Sequence, residues 1–415
     1  MQTKKKLLLG VIADDFTGAG DAASFLVNSG FRTILYTRIP TTIPVLCDCM
    51  VIALKSRSAE PKEAIIQTQE ALTFLRKAGV EQLYFKYCST FDSTPLGNIG
   101  VVLDFLLHKL HQNYTLLCPS LPVNGRTVKD GILYVNGMKL DDSAMKNHPL
   151  NPMWDSHIAG LMKTQSKYPC FVLAKEDMKE PRLSKLLQSY KEQYQKFYLI
   201  PDYVTDADGE AICSAFGNLP LLSGGSGLLA HLFHSEKDVV IATMQQGKQK
   251  AIILCGSCSQ MSRKQIHTYR QQGGSVYAVD SKALLKGEIC AKSIFKDIEN
   301  QIETVLIYSD AVEKNMNELA ASVTFQRESI LIEKLMAELS ILAREHSYNR
   351  IIVAGGETSG AVTLALGYDA YQIAKSIAPG VPVLIPLENR RLNLILKSGN
   401  FGKEDFFLKA INEEN

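Results

Sequence analysis

No charge of one sign dominates this 415-residue chain, whose formal net charge is only +2. That near balance excludes a surface built for nonspecific nucleic-acid binding, which needs many surplus cations, and leaves open only a local basic pocket. No apolar run approaches the roughly 20 residues of a membrane helix, so no membrane partner is expected. Leu7 to Ala13, behind Lys4, Lys5 and Lys6, has the order of a signal peptide, but its apolar part is too short. Asp14 and Asp15 also stand where a cleavage site needs small apolar residues. The segment therefore reads as a buried strand behind a solvated basic tip. The nine cysteines are odd in number and have no framework spacing, which suits reduced thiols and a cytoplasmic location. Cys255 and Cys258 form a CxxC, yet no second CxxC or histidine pair completes a zinc site. The Gly-Lys-Ser/Thr ending of a Walker A loop and the GxGxxG of a dinucleotide fold are missing as well.

What is present is an ordinary globular composition, 46% hydrophobic and 21% charged, in a chain longer than one core usually supports. Short β-branched apolar runs alternate with helical patterns almost from end to end. That alternation predicts an α/β protein of two domains, each a mostly parallel sheet flanked by helices. Pro61 to Ala78 is the clearest helix, with proline in its first turn, Ile65, Leu72 and Leu75 on one face, and Gly79 as left-handed cap. From Pro119 to about Asp155 the regularity stops in a long irregular connection of the kind that tends to carry function. The polar stretch from His234 to Lys250 is the expected linker, dividing the chain into domains at 1 to 235 and 250 to 415.

Polar groups gather where strands end, which is where open α/β sheets bind ligands. The first strand runs into Asp14 and Asp15, then into a glycine turn that opens a helix. Two adjacent aspartates there can hold hydroxyls, accept a proton or help hold a metal, whereas a structural explanation needs only one capping residue, Asp15 or Thr17. Arg57 follows the strand Val51 to Leu54 and can grip a carboxylate through its fork. Lys86 can add a point charge, and Ser89, Thr90, Ser93 and Thr94 can meet sugar hydroxyls. In the other half, Ile351 to Ala354 enters Gly355-Gly-Glu-Thr-Ser-Gly360 and an apolar helix, whose free amides suit phosphates. Gly256-Ser-Cys-Ser259 and Ser398-Gly-Asn-Phe-Gly402 add two more small-residue loops, and together the three look like a nucleotide cradle.

Gly18-Ala-Gly-Asp21 is similar to the catalytic turn of ribokinase-like sugar kinases, but that turn comes late in those chains and here follows the first strand. Over nearly its whole length the sequence instead resembles the four-carbon acid sugar kinase family, and within it the 3-oxo-tetronate kinases. The motifs are Ala13-Asp-Asp-Phe-Thr-Gly-Ala19, Lys86-Tyr-Cys-Ser-Thr-Phe-Asp-Ser-Thr-Pro95, Gly97-Asn-Ile-Gly100, Cys118-Pro-Ser120, Asn124-Gly-Arg-Thr127, His148-Pro-Leu-Asn-Pro-Met153, Gly224-Gly-Ser-Gly227, Gly256-Ser-Cys-Ser259 and Gly355-Gly-Glu-Thr-Ser-Gly360.

The resemblance implies an N-terminal substrate domain, a C-terminal ATP domain, and transfer of the γ-phosphoryl group to the terminal C4 hydroxyl of a four-carbon sugar acid. Carried over by motif, Asp14, Asp15, Arg57, Lys86, Ser89, Thr90 and Asp92 would hold substrate. Ser257, Ser259, Gly355, Gly356, Glu357, Thr358, Ser359, Gly399 and Gly402 would hold ATP. Asp15 is the first candidate for the base and Asp92 the second, with Arg57 and Lys86 anchoring the substrate carboxylate. Mg2+ is expected on the phosphates; its protein ligands are unassigned, and Glu357 is one candidate. Thr94-Pro-Leu-Gly97, where threonate kinases carry a charged continuation, favours a 3-oxo acid over threonate or erythronate. The rival readings are a nonenzymatic sugar-acid binder, which leaves the second cradle unexplained, and a thiol oxidoreductase, which needs both cysteines of the CxxC. The sequence leaves homo-oligomerisation open.

Overall fold

A computed structural model describes residues 7–40, 47–147, 152–233, 250–298, 304–310 and 323–412. Residues 148–151 of the histidine-proline motif and 234–249 of the expected linker lie outside the described residues. The chain divides into two compact units at Val239/Val240.

In the first unit, β1 (Leu7–Ala13), β2 (Thr33–Tyr36), β3 (Cys49–Ala53), β4 (Val80–Lys86) and β11 (Leu221–Gly224) form one sheet in the order β11-β4-β1-β3-β2. Its strand pairs are parallel. The chain builds one flank of β1 with β2 and β3 and the other with β4 and β11, so the topological switch lies beside β1. Ala13 is in register with both Ala53 and Lys86, and Lys86 with Gly224. The loops that follow these strands therefore leave from one edge. Helices Phe16–Asn28, Pro61–Ala78 and Ile99–Lys109 connect the strands. The Pro61–Ala78 helix has the predicted bounds and ends on Gly79 at φ 84°. Its buried stripe runs through Ala64, Thr68, Ala71, Leu72 and Leu75. Ile65 is half-buried, because the small residues let the helix settle on the sheet one position to the side of the expected face. Gly10 in β1 receives that helix: a Cβ there would lie 3.0 Å from the Leu75 methyls.

A second parallel sheet, β5 (Tyr114–Leu116), β10 (Phe197–Pro201) and β9 (Cys170–Leu173), runs in the order β5-β10-β9. The region expected to be irregular contains a small antiparallel sheet, β6 (Arg126–Lys129), β7 (Ile132–Val135) and β8 (Met138–Lys139). Its two turns are Asp130-Gly131 and Asn136-Gly137, with positive φ at all four residues. This is the turn chemistry that tight hairpins require; the strands are too short for their own periodicity to show.

The second unit holds β12 (Ala251–Cys255), β13 (Ser275–Val279), β14 (Thr304–Ser309), β15 (Arg350–Ala354), β16 (Ala370–Ala378), β17 (Val381–Pro386) and β18 (Asn393–Lys397), ordered β16-β17-β18-β15-β12-β14-β13. β13, β14, β12, β15 and β18 are parallel, while β17 runs against both of its neighbours. The chain leaves β12 on one side for β13 and β14 and returns on the other for β15, a second topological switch. Every residue of β12, β15, β17 and β18 is buried. These continuous apolar runs are what strands covered on both faces require.

Candidate active site

At the edge of the first unit, backbone bonds tie three strand ends together. Asp14 N donates to the Lys86 carbonyl at 3.0 Å, and the Asp14 carbonyl accepts from the amides of Ser56 at 3.1 Å and Arg57 at 3.2 Å. Asn98 Nδ2 then donates to the Ser56 and Ala59 carbonyls, both at 2.7 Å. The Arg57 loop is thereby held over Asp14. Its guanidinium meets Asp14 twice, Nε to Oδ2 at 3.0 Å and Nη2 to Oδ1 at 2.8 Å. Nη1 reaches Asp15 Oδ2 at 2.8 Å and stands 3.8 Å from Asp92 Oδ2. Arg57 was expected to grip a carboxylate; the ones it holds are the protein's own.

Asp15 is heavily engaged. Its Oδ1 accepts from Gly18 N at 2.7 Å and caps the helix, while Thr17 Oγ1 donates to Oδ2 at 2.9 Å. Only glycine fits at position 18, since a Cβ would lie 2.4 Å from Asp15 Oδ1 and 3.1 Å from Lys86 Nζ. Burial opposes ionisation of both aspartates. It holds Asp14 above the ordinary carboxylate range despite Arg57. For Asp15, the charges of Arg57 and Lys86 with the bonds from Thr17 and Gly18 outweigh burial and bring it below that range.

Lys86 is 2% exposed, donates to the Tyr87 carbonyl at 3.0 Å and lies 3.7 Å from Asp21 Oδ2. Asp21 also accepts from Ser226 Oγ, which joins the Gly224-Gly-Ser-Gly227 segment to the first helix. Burial pushes Asp21 up to about 6. Asp92 is less engaged than Asp15: its Oδ1 is buried with no hydrogen-bond partner within the protein, as is Asp21 Oδ1. Ser89, Thr90 and Ser93 of the same loop are also buried. The Thr90 hydroxyl lies 3.0 Å from Cys88 Sγ, and Ser93 Oγ accepts from Gln165 Nε2 at 2.9 Å.

Two site residues escaped the sequence reading. Asp21 lies in the second turn of the helix that follows the paired aspartates. Arg126 lies on β6, inside the stretch taken for irregular. Burial holds the Arg126 guanidinium below its usual range, and Cys88 and Asp21 are the groups that act on it. Its Nη1 donates to the Asn124 carbonyl. The cluster thus sets the carboxylates of Asp14, Asp15, Asp21 and Asp92 against the cations Arg57, Lys86 and Arg126.

The second unit brings its three small-residue loops together. Gly256 N and Ser257 N both donate to the Ala354 carbonyl at 3.1 Å, and Gly355 N donates to the Lys397 carbonyl at 2.9 Å. A Cβ on Gly256 would lie 2.2 Å from Thr358 Oγ1, and Gly355 sits at φ 122°. The Gly356–Leu366 helix starts at once, and Ser359 N donates to the Gly355 carbonyl at 2.9 Å. The amides ahead of Ser359 have no carbonyl a turn earlier to bond, the usual state of a helix start. Thr358 and Ser359 are buried, and Ser359 Oγ has no hydrogen-bond partner within the protein. Glu357 is half-buried in the first turn. Ser259 Oγ and Ser262 Oγ both donate to the Gly399 carbonyl, at 2.7 and 3.0 Å, and Gln265 Nε2 holds the Phe401 and Lys403 carbonyls at 3.0 and 2.9 Å. Gly402 turns at φ 77°.

Within the CxxC, Cys255 is buried, and burial pushes its thiol up to about 11, which disfavours the reactive thiolate at that position. Among the described residues, no group of three His, Cys, Asp or Glu side chains is placed to hold a metal ion, and no helix is long and apolar enough to cross a membrane.

Residues 9–232 match the model of a sugar-binding N-terminal domain, and residues 252–407 that of a nucleotide-binding C-terminal domain. The chain is 38% identical over 410 residues to a 3-oxo-tetronate kinase of Haemophilus influenzae, covering 96% of this chain and 98% of that one. It is 40% identical over 423 residues to a 3-oxo-tetronate kinase of Salmonella typhimurium, covering 98% and 99%. Among solved structures, a Salmonella typhimurium protein described as a tRNA synthase superposes with TM-score 0.83 at 37% identity, covering 98% of this chain and 99% of that one. A Haemophilus influenzae protein superposes with TM-score 0.71 at 38% identity, covering 97% and 98%.

Proposed function

From its membership of the four-carbon acid sugar kinase family, alongside the 3-oxo-tetronate kinases, we propose that this chain transfers the γ-phosphoryl group of ATP to the C4 hydroxyl of a 3-oxo-tetronate. The N-terminal unit receives the sugar acid and the C-terminal unit the nucleotide. The observation that carries the reading is that each unit gathers its polar loops at its own topological switch. One set is charged; the other is built of glycine, serine and helix-start amides.

The site geometry supports a different distribution of roles. Arg57 neutralises and orders Asp14 and Asp15, and the positive potential for the substrate carboxylate comes from Lys86 and Arg126 together with it. Asp15 has both oxygens occupied, whereas Asp92 keeps Oδ1 for a ligand. Asp92 therefore accepts the proton of the terminal hydroxyl, and Asp15 positions the loop. Catalysis rests on positioning and on neutralising charge that develops on the transferred group.

Mg2+ carried on the ATP phosphates would neutralise charge on the transferred group. Glu357, in the first turn beside the glycine loop, and the hydroxyls of Ser257 and Thr358 are the oxygen donors that suit it. A tRNA-directed function finds no support in the nearly balanced charge of the chain. The test is ADP release with the erythro and threo 3-oxo-tetronates and with both threonates. Turnover confined to the 3-oxo acids is expected, and silence across the panel would reject the reading.

A further inference from the structure

Lys397, the last residue of β18, is fully buried beneath the Ser398-Gly399 turn. Its ammonium donates to the Gly399 carbonyl at 2.7 Å, the Ser398 carbonyl at 3.0 Å and Ser262 Oγ at 3.3 Å. All three acceptors are uncharged. Among the described residues, no carboxylate forms an ion pair with it.

The groups that act on it come from several elements. Ala354 is its register partner on β15, Ser262 faces it from the Gln260–Gln271 helix, and the Phe406 ring lies 5.9 Å away. Cys255 on β12 is the ionisable group that acts on it, and with its thiol pushed up to about 11 Cys255 is neutral near pH 7. Burial pulls Lys397 down to about 8. A cation facing only dipoles in the interior is costly unless an anion arrives from outside.

The position of this cation indicates which anion that is. The Gly399 carbonyl accepts from Lys397, Ser259 and Ser262 together. In a trans peptide the C=O and N–H point in opposite directions. Drawing the Ser398 and Gly399 carbonyls down onto Lys397 turns the amides of Gly399 and Asn400 away from the core. Ser257 and Ser259 flank the same turn, where a Cβ on Gly399 would meet Ser257 Oγ at 2.7 Å.

We propose that Lys397 is the buried cation of the nucleotide site: a positioning residue that holds the Ser398-Gly402 loop open to phosphate and sets one positive charge beneath it. In Walker A proteins a lysine on the loop supplies that charge. The inference rests on the reading that the C-terminal unit binds ATP.

It is tested by calorimetric titration of Mg-ATP and Mg-ADP into the full chain, wild type and Lys397→Met, at pH 7.0 and 8.5. Each is run in two buffers of different ionisation enthalpy. At pH 8.5 much of the unliganded Lys397 is neutral, and a bound polyphosphate favours its charged form. Nucleotide binding by the wild type should then take up a fraction of a proton at pH 8.5 and close to none from this group at pH 7.0. Lys397→Met, of similar volume, should weaken nucleotide binding at least about tenfold at pH 7.0 and abolish the uptake at pH 8.5. Affinity within twofold of wild type, or no proton uptake by the wild type at pH 8.5, overturns the inference while leaving the ATP reading intact. The wild-type measurement decides alone if the variant does not fold. A wild type that binds no nucleotide at all overturns both.

Discussion

Replacing Arg57 with methionine removes the cation on which three carboxylates depend while keeping most of the side-chain volume. Arg57 is 16% exposed and Asp14 5%, and Asp15 lies within 2.8 Å of the guanidinium. The change therefore leaves buried negative charges uncompensated rather than loosening a surface pair. Breaking a buried ion pair from one side costs about 3–5 kcal/mol. With a urea dependence of about 2–3 kcal/mol per M, the N-terminal unit should unfold roughly 1–2 M earlier. The chain has one tryptophan, Trp154, which belongs to that unit, so its fluorescence in urea follows this unit alone. The pH dependence has a definite sign. Without Arg57 the folded-state value of Asp14 rises further above its unfolded value, and Asp15 loses the charge that holds it low and rises as well. The variant's deficit should then be greatest at neutral pH and shrink as the pH falls toward 5 and the carboxylates take up protons. A midpoint shift below about 0.5 M, or a deficit that does not change with pH, would refute the reasoning.

Asp92→Asn should lower kcat about a hundredfold or more with intact folding, while Asp15→Asn should lose stability along with activity because it weakens a helix cap and a salt bridge. Steady-state kinetics paired with Trp154 unfolding separates the two, and near-normal turnover in Asp92→Asn would dismiss it as the base. Asp21, raised to about 6, contributes most to stability below its unfolded value near 4 and loses that contribution as the pH rises to 6. Wild-type stability measured from pH 4 to 6.5 should thus carry a falling component that Asp21→Asn removes; identical slopes would reject it. Gly256→Ala must displace Thr358, 2.2 Å from the new methyl, and should weaken nucleotide binding at least about tenfold. The Trp154 transition should stay in place, and unchanged affinity would argue against the cradle.

Local chemistry made much of the protein readable. Strand and helix alternation, the proline and glycine bounds of the Pro61–Ala78 helix, and polar groups at strand ends all follow from neighbours a few residues apart. These features predicted two parallel α/β sheets and pointed to Asp14, Asp15, Arg57, Lys86 and the Gly355 loop. The short hairpins of β6 to β8 were legible only through Asp130-Gly131 and Asn136-Gly137, since strands of four residues carry too little periodicity. Partnership is a different matter. Whether Arg57 meets a ligand or Asp14 depends on contacts between residues 43 apart, and Lys397 meets Ser262 across 135. A sequence records that an arginine follows a strand; its charge balance and burial arise only when several strand ends converge. Hence the Arg57 expected to meet a substrate carboxylate also holds Asp14 and Asp15, and Lys397 at the end of a strand lies buried under a loop.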